Sequence, residues 1–205
     1  MSELDIFIKG YVVTFTLIIA IGAQNAYLLK LGLQKQHVIT AALFCALSDF
    51  LLISIGVLGL GFIIQGNQLF INGIAIFGII FLIYYAYTSF KSALKDETLV
   101  LDGQRKEKSL KQVLGMLFVF TYLNPHAYLD TILLIGGIGA NIENNMKIYF
   151  LIGAVSASTS WFFSLTLGAR FLIPYFKKAI TWKILDTSIG IIMLVIAYSL
   201  VDLIK

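Results

Sequence analysis

Long apolar runs alternate with short polar stretches along the whole chain. The first run extends from about Tyr11 to Leu29 without a charge, and the second from about Val38 to Ile64 with Asp49 as its one charge. The third covers about Leu69 to Phe90. A polar segment, Lys91 to Gln112, follows with six basic and four acidic residues. The fourth run is Val113 to Ala140, the fifth about Ile148 to Ala169, and the sixth about Ile184 to Leu203. The sixth carries Asp186 near its start. A helix of about 20 apolar residues crosses the hydrocarbon layer. The pattern therefore predicts an all-α membrane protein with six transmembrane helices.

Composition agrees with that class. Of 205 residues, 59% are hydrophobic and 13% charged, against about 25% charged in a soluble domain. A net charge of +4 raises the question of nucleic acid, but the cations sit between apolar runs, which is the pattern of membrane topology. No nucleic-acid partner is expected; the lipid bilayer is. The single Cys45 rules out an internal disulfide framework. Glu3 and Asp5 at the start argue against a cleavable signal, which opens with positive charge.

The distribution of charge adds an orientation. The stretches after runs one, three and five hold twelve Lys and Arg, and the opposite side holds three, Lys9, Lys147 and Lys205. Cytoplasmic loops carry the excess of positive charge, so both termini are expected outside. This divides the chain into a first three-helix repeat (1–90), a cytoplasmic polar loop (91–112) and a second three-helix repeat (113–205), running in opposite directions. Short matches in the same order support a relation between the halves. Ala26–Tyr27–Leu28 matches Ala127–Tyr128–Leu129. Ser48–Asp49–Phe50 aligns with Thr159–Ser160–Trp161. Gly78–Ile79–Ile80–Phe81–Leu82 matches Gly190–Ile191–Ile192–Met193–Leu194. Inverted repeats with polar breaks in equivalent helices mark secondary transporters, with the site at mid-membrane.

Candidate chemistry lies where apolar runs contain misfits. Asp49 is about eleven residues into its run, roughly 16 Å deep at 1.5 Å per residue. Asp130 lies a little beyond the middle of run four. A charge at the bilayer centre costs about 2.5–3.5 kcal/mol on insertion scales, and no Lys or Arg is expected at that depth. Binding a proton or a cation would lower that cost; a neutral, hydrogen-bonded Asp locking two helices together is the plain alternative. His126 and Asp130 are four apart and share a helix face, which suits a proton relay; a hydrogen bond from His126 to a facing helix is the alternative. Asn124–Pro125 and Gln24–Asn25 mark opened helices, since Pro125 removes a backbone donor and opened backbone holds substrate groups. Helix-to-helix polar contacts explain the same residues otherwise. The runs Gly56, Gly59, Gly61 and Gly136, Gly137, Gly139, with Ala154 to Ser160, read as close packing. Tyr84, Tyr85 and Tyr87 read as interface anchors, and Cys45 as an inert buried thiol. No metal-ligand spacing or catalytic elbow is present, so no metal, no cofactor and no enzyme activity are expected.

Ile21–Gly22–Ala23–Gln24–Asn25–Ala26, the following Gly32, Gln34, Lys35 and Gln36, and Cys45–Ala46–Leu47–Ser48–Asp49 resemble the first half of the lysine exporter (LysE) family. Leu123–Asn124–Pro125–His126–Ala127–Tyr128–Leu129–Asp130–Thr131 is similar to its second signature. The resemblance covers nearly the whole chain. The Tyr–Leu–Asp after Asn–Pro places it nearest the lysine and arginine branch. The resemblance implies a multi-pass exporter of basic amino acids in the bacterial inner membrane, a small-molecule substrate, and possible homo-oligomers. On that reading Asp49, Asp130, Gln24, Asn25, Asn124 and Tyr128 bind substrate, His126 and Asp130 couple protons, and Pro125 breaks the helix. Export of neutral amino acids or of a metal or inorganic cation is the alternative.

Overall fold

The computed structural model describes residues 2–19, 22–58, 68–94 and 108–201. Those residues form helices α1 (Glu3–Ile18), α2 (Ala23–Gln34), α3 (Val38–Val57), α4 (Gln68–Ala93) and α5 (Leu110–Tyr122). After a break come α6 (Pro125–Tyr128), a π-helical stretch (Leu129–Ile135) and α7 (Gly136–Ala140), then α8 (Lys147–Gly168) and α9 (Ala179–Val201). Two short 3₁₀ turns, Ala169–Leu172 and Tyr175–Lys177, join α8 to α9. Among the described residues, four helices are long and apolar enough to cross a membrane alone. The bent pair α1–α2 would be a fifth, and α5 and His126–Ala140 are shorter apolar helices.

Local chemistry explains the boundaries. Ser2 and Asp5 form a reciprocal cap at the start of α1, and Ser109 and Gln112 do the same for α5. The second cap starts α5 at Leu110, three residues before the apolar run begins, because a capping box satisfies the orphan N–H groups there. Lys35 and His37 adopt left-handed backbone (φ 54° and 47°). They reverse the chain between α2 and α3, with Lys35 and Gln36 N–H closing on Gly32 and Leu31 carbonyls.

Several sequence expectations change. Run one is two helices, α1 and α2, whose axes differ by 82°. Run four, by contrast, is interrupted at Leu123–Asn124, beside the break expected at Asn124–Pro125. Run six starts earlier, at Ala179, so Asp186 lies two turns inside a helix. Lys30, expected in a loop, lies in α2 and is mostly buried against Asp186. Tyr84 and Tyr87 are exposed, but Tyr85 faces the core at 9% exposure, because adjacent helical positions point about 100° apart. Residues 59–64 of run two and 95–107 of the polar loop lie outside the described residues.

Helix α4 packs chiefly on α9, α1 on α8, and α3 on both α8 and the stretch Leu129–Ala140. Small residues allow this. A Cβ on Gly10 would strike the Phe150 carbonyl, and one on Gly153 the Phe7 carbonyl. Gly56 and Gly136 meet backbone to backbone. In lipid, such close van der Waals approach replaces the hydrophobic drive between helices. At one end of the molecule the α2–α3 turn, the start of α5 and the junction of α8 with α9 come together. His37 Nε2 bonds the Lys108 carbonyl at 2.9 Å, and Leu33, Ala169, Phe176 and Trp182 form a cluster. This is the basic end, with Lys35, Lys108, Arg170 and Lys178 on or beside it.

Candidate functional site

Both helix breaks face one cavity of about 310 Å³. Gln24, Asn25, Asp49, Asn124, His126, Asp130 and Thr131 are its polar lining. Six of the sequence-predicted site residues therefore meet, from α2, α3 and the second break. Phe120, Phe162, Ile135 and Ile196 form the apolar wall.

The first break is held by Asn25. Its Nδ2 donates to the Ile18 carbonyl at 2.7 Å, closing the end of α1, and its Oδ1 accepts from Trp161 Nε1 at 3.3 Å. A backbone group left open in the membrane core costs several kcal/mol, so this side chain keeps the break affordable. Gly22 precedes α2 with extended backbone and no side-chain cap. A Cβ there would meet nothing within 4 Å. The first N–H groups of α2 thus have no intrahelical acceptor and stand at the cavity wall with the positive end of the helix dipole. Gln24 accepts from Thr121 Oγ1 at 3.0 Å, tying α2 to α5.

The second break follows the same plan with different residues. Tyr128 OH donates to the Tyr122 carbonyl at 2.6 Å, closing the end of α5. Tyr128 does not line the cavity. Asn124 Oδ1 accepts from His126 N at 3.2 Å, and Pro125 occupies the first position of α6, where its missing N–H costs nothing. Thr131 Oγ1 donates to the Ala127 carbonyl. This back-bonding lies in the π-helical stretch that carries Asp130, and π turns gather at functional sites.

The two carboxylates differ in setting. Asp49 is 5% exposed, and its Oδ2 accepts from Ser158 Oγ of α8 at 2.6 Å. Asp130 is half-buried and lines the same cavity. His126 Nε2 is 2.8 Å from Ser199 Oγ of α9, and that hydroxyl is 2.8 Å from the Ile196 carbonyl. A hydroxyl has one hydrogen. Ser199 spends it on Ile196, so its lone pair receives Nε2–H from His126. His126 therefore has the facing-helix partner that was one of its two readings. Among the described residues, no three His, Cys, Asp or Glu side chains gather where a metal ion could be held.

Sequence reasoning missed Ser158, Trp161, Thr121 and Ser199. Trp161 lies in, and Ser158 just before, the segment that aligns with Ser48–Asp49–Phe50, so the repeat carried a signal for them. Thr121 and Ser199 carried none.

Broken helices around a polar cavity are the arrangement that secondary transporters use to hold a substrate. The LysE type translocator family matches residues 15–202 of the chain. An arginine exporter protein ArgO from Serratia proteamaculans is 31% identical over 96% of each chain. Another, from Photorhabdus laumondii, is 34% identical over 96% of this chain and 95% of its own. A putative amino-acid transporter YggA from Aeromonas salmonicida is 35% identical over 94% of each. No solved structure matches. The chain belongs to the LysE type translocator family. It is a transporter of the bacterial inner membrane and not an enzyme.

Proposed function

We propose that the protein exports basic amino acids, arginine or lysine, driven by proton influx. The observation that carries the reading is that Asp49 and Asp130 line one cavity. Relatives named arginine exporters over nearly full length support the substrate class.

The cationic side chain of the substrate sits against Asp49, and its carboxylate meets the uncapped first turn of α2 and Asn124. Helix N-termini hold anions, and broken helices present them at mid-membrane in transporters. Asn25 and Tyr128 hold the two breaks open around the substrate. Exporting a cation against an inside-negative potential costs about 2.3 kcal/mol per charge per 100 mV. A passive pore would draw the substrate inward, so export needs a coupled ion. Asp130 with His126 receives the incoming proton.

The chain crosses the membrane six times in two inverted repeats, with α1–α2 and α5–α7 as the broken first and fourth spans and the basic end in the cytoplasm. The packing supports this. Exchanging the first span with the fourth, the second with the fifth and the third with the sixth preserves the main neighbours, α1 on α8 and α3 on Leu129–Ala140, and maps α4–α9 onto itself. The positive-inside rule supports the sidedness.

The test is efflux of labelled arginine from preloaded cells carrying Asp49→Asn or Asp130→Asn at wild-type protein levels. Each substitution is expected to lower efflux about tenfold or more. Normal export by both would end the carboxylate reading.

A further inference from the structure

Outside the cavity, one buried ion pair has no part in the transport cycle described so far. Lys30 Nζ of α2 is 2.5 Å from Asp186 Oδ1 of α9, and Ser92 Oγ of α4 donates to Asp186 Oδ2 at 2.6 Å. Asp186 is 3% exposed. Three helices therefore converge on one carboxylate at the basic end.

Between that carboxylate and the cavity lies a layer of rings. Tyr27 packs on Phe120 at 5.5 Å and on Tyr85 at 6.3 Å, and Tyr85 on Phe120 at 5.0 Å. Phe120 also lines the cavity. Leu185 and Ile189, the neighbours of Asp186 on α9, pack into the same cluster. Gln24 at the cavity, Tyr27 in the ring layer and Lys30 in the ion pair follow one another at three-residue steps along α2. Six residues of helix put Lys30 roughly 9 Å from Gln24 along the axis.

We propose that Asp186 is the cytoplasmic intake site for the cationic side chain of the substrate, and that Lys30 occupies it when this end is closed. The inference rests on the proposed export of basic amino acids. An ammonium on a four-carbon stem is the head group of lysine itself, so Lys30 holds Asp186 as a substrate would. Parting α2 from α9 leaves a buried carboxylate without its counter-ion, which is strongly unfavourable. An arriving ammonium or guanidinium removes that penalty, and a neutral amino acid does not. The site thus admits cations before they reach Asp49 and Asp130. Displacing Lys30 releases the ion pair that ties α2 to α9, so this part of α2 can move away from α9. Tyr27 moves with it, and the ring layer between the intake site and the cavity opens.

The test uses inverted membrane vesicles, whose outer face is cytoplasmic, and labelled arginine. Asp186→Asn should raise KM about tenfold, with the saturated rate within about twofold of wild type. Lys30→Gln removes the internal competitor and should lower KM several-fold. The neutral double variant Lys30→Gln/Asp186→Asn leaves no uncompensated charge, accumulates where a single variant does not, and should keep the raised KM. A wild-type KM in the double variant overturns the proposal, as does a shift of both single variants in the same direction. Wild-type vesicles that take up no arginine would refute the export reading instead, so the two failures are separable.

Discussion

At the scale of single residues, the cavity depends on side chains that repair what the breaks expose. Asn25 illustrates this. Sequence alone allowed two readings, a substrate ligand or a contact between helices. Both of its polar atoms have protein partners, the Ile18 carbonyl and Trp161, so its first task is to close α1. Asn25→Leu would leave that carbonyl unpaired, which costs about 1–3 kcal/mol. At about 2–4 °C per kcal/mol for a chain of this size, detergent-solubilised protein should lose several degrees in Tm. An unchanged Tm would show that the break does not depend on Asn25. Asp49 and Asp130 were legible because a carboxylate in an apolar run has few innocent explanations. Ser199 was not, because a serine in a membrane helix usually bonds its own backbone. Only the fold brings it to His126.

At the scale of elements, the long apolar runs were legible and their internal geometry was only partly so. Pro125 after Asn124 announced the second break, since proline favours the first turn of a helix. The first break has no proline. Gly22 and the polar pair Gln24–Asn25 hinted at it, but hydropathy reads straight through from Tyr11 to Leu29. The glycines divide by partner. Gly153 lies against the Phe7 carbonyl, whereas a Cβ on Gly137 would meet nothing within 4 Å. Backbone cannot move aside as a flexible side chain can, and overpacking costs typically about 1–3 kcal/mol or more. Gly153→Val should therefore sharply reduce accumulation of folded protein, measured by fluorescence-detected size-exclusion chromatography. Gly137→Ala should leave the profile unchanged. Equal behaviour of the two variants would contradict the α1–α8 contact.

At the scale of the whole molecule, the proposed sidedness rests on charge placement. Lys35, in the α2–α3 turn, belongs to the basic end, and Lys147, at the start of α8, to the other. Cys45 is fully buried, and Cys45→Ser removes it as a background target. In that background, Lys35→Cys should react with a membrane-impermeant maleimide only in inverted vesicles, and Lys147→Cys only in intact cells. Labelling of both from one side would break the six-span reading, and the exchanged pattern would reverse its orientation. The same sidedness gives the two polar layers an order. On the proposed sidedness, a cation from the cytoplasm would meet Asp186 first, then the aromatic layer, then Asp49 and Asp130. The sequence displayed all three carboxylates. It did not show that Lys30 neutralises the first of them, because the partners are 156 residues apart and only the folded chain joins them.

The central claim is that Asp49 and Asp130 carry a basic amino acid outward in exchange for protons. Uptake of labelled arginine into inverted vesicles tests it most directly, with the lumen made acidic to drive protons toward the cytoplasmic face. Wild-type vesicles should accumulate arginine only while the gradient holds, and vesicles carrying Asp49→Asn or Asp130→Asn should not. Gradient-driven accumulation that survives both substitutions would contradict the account.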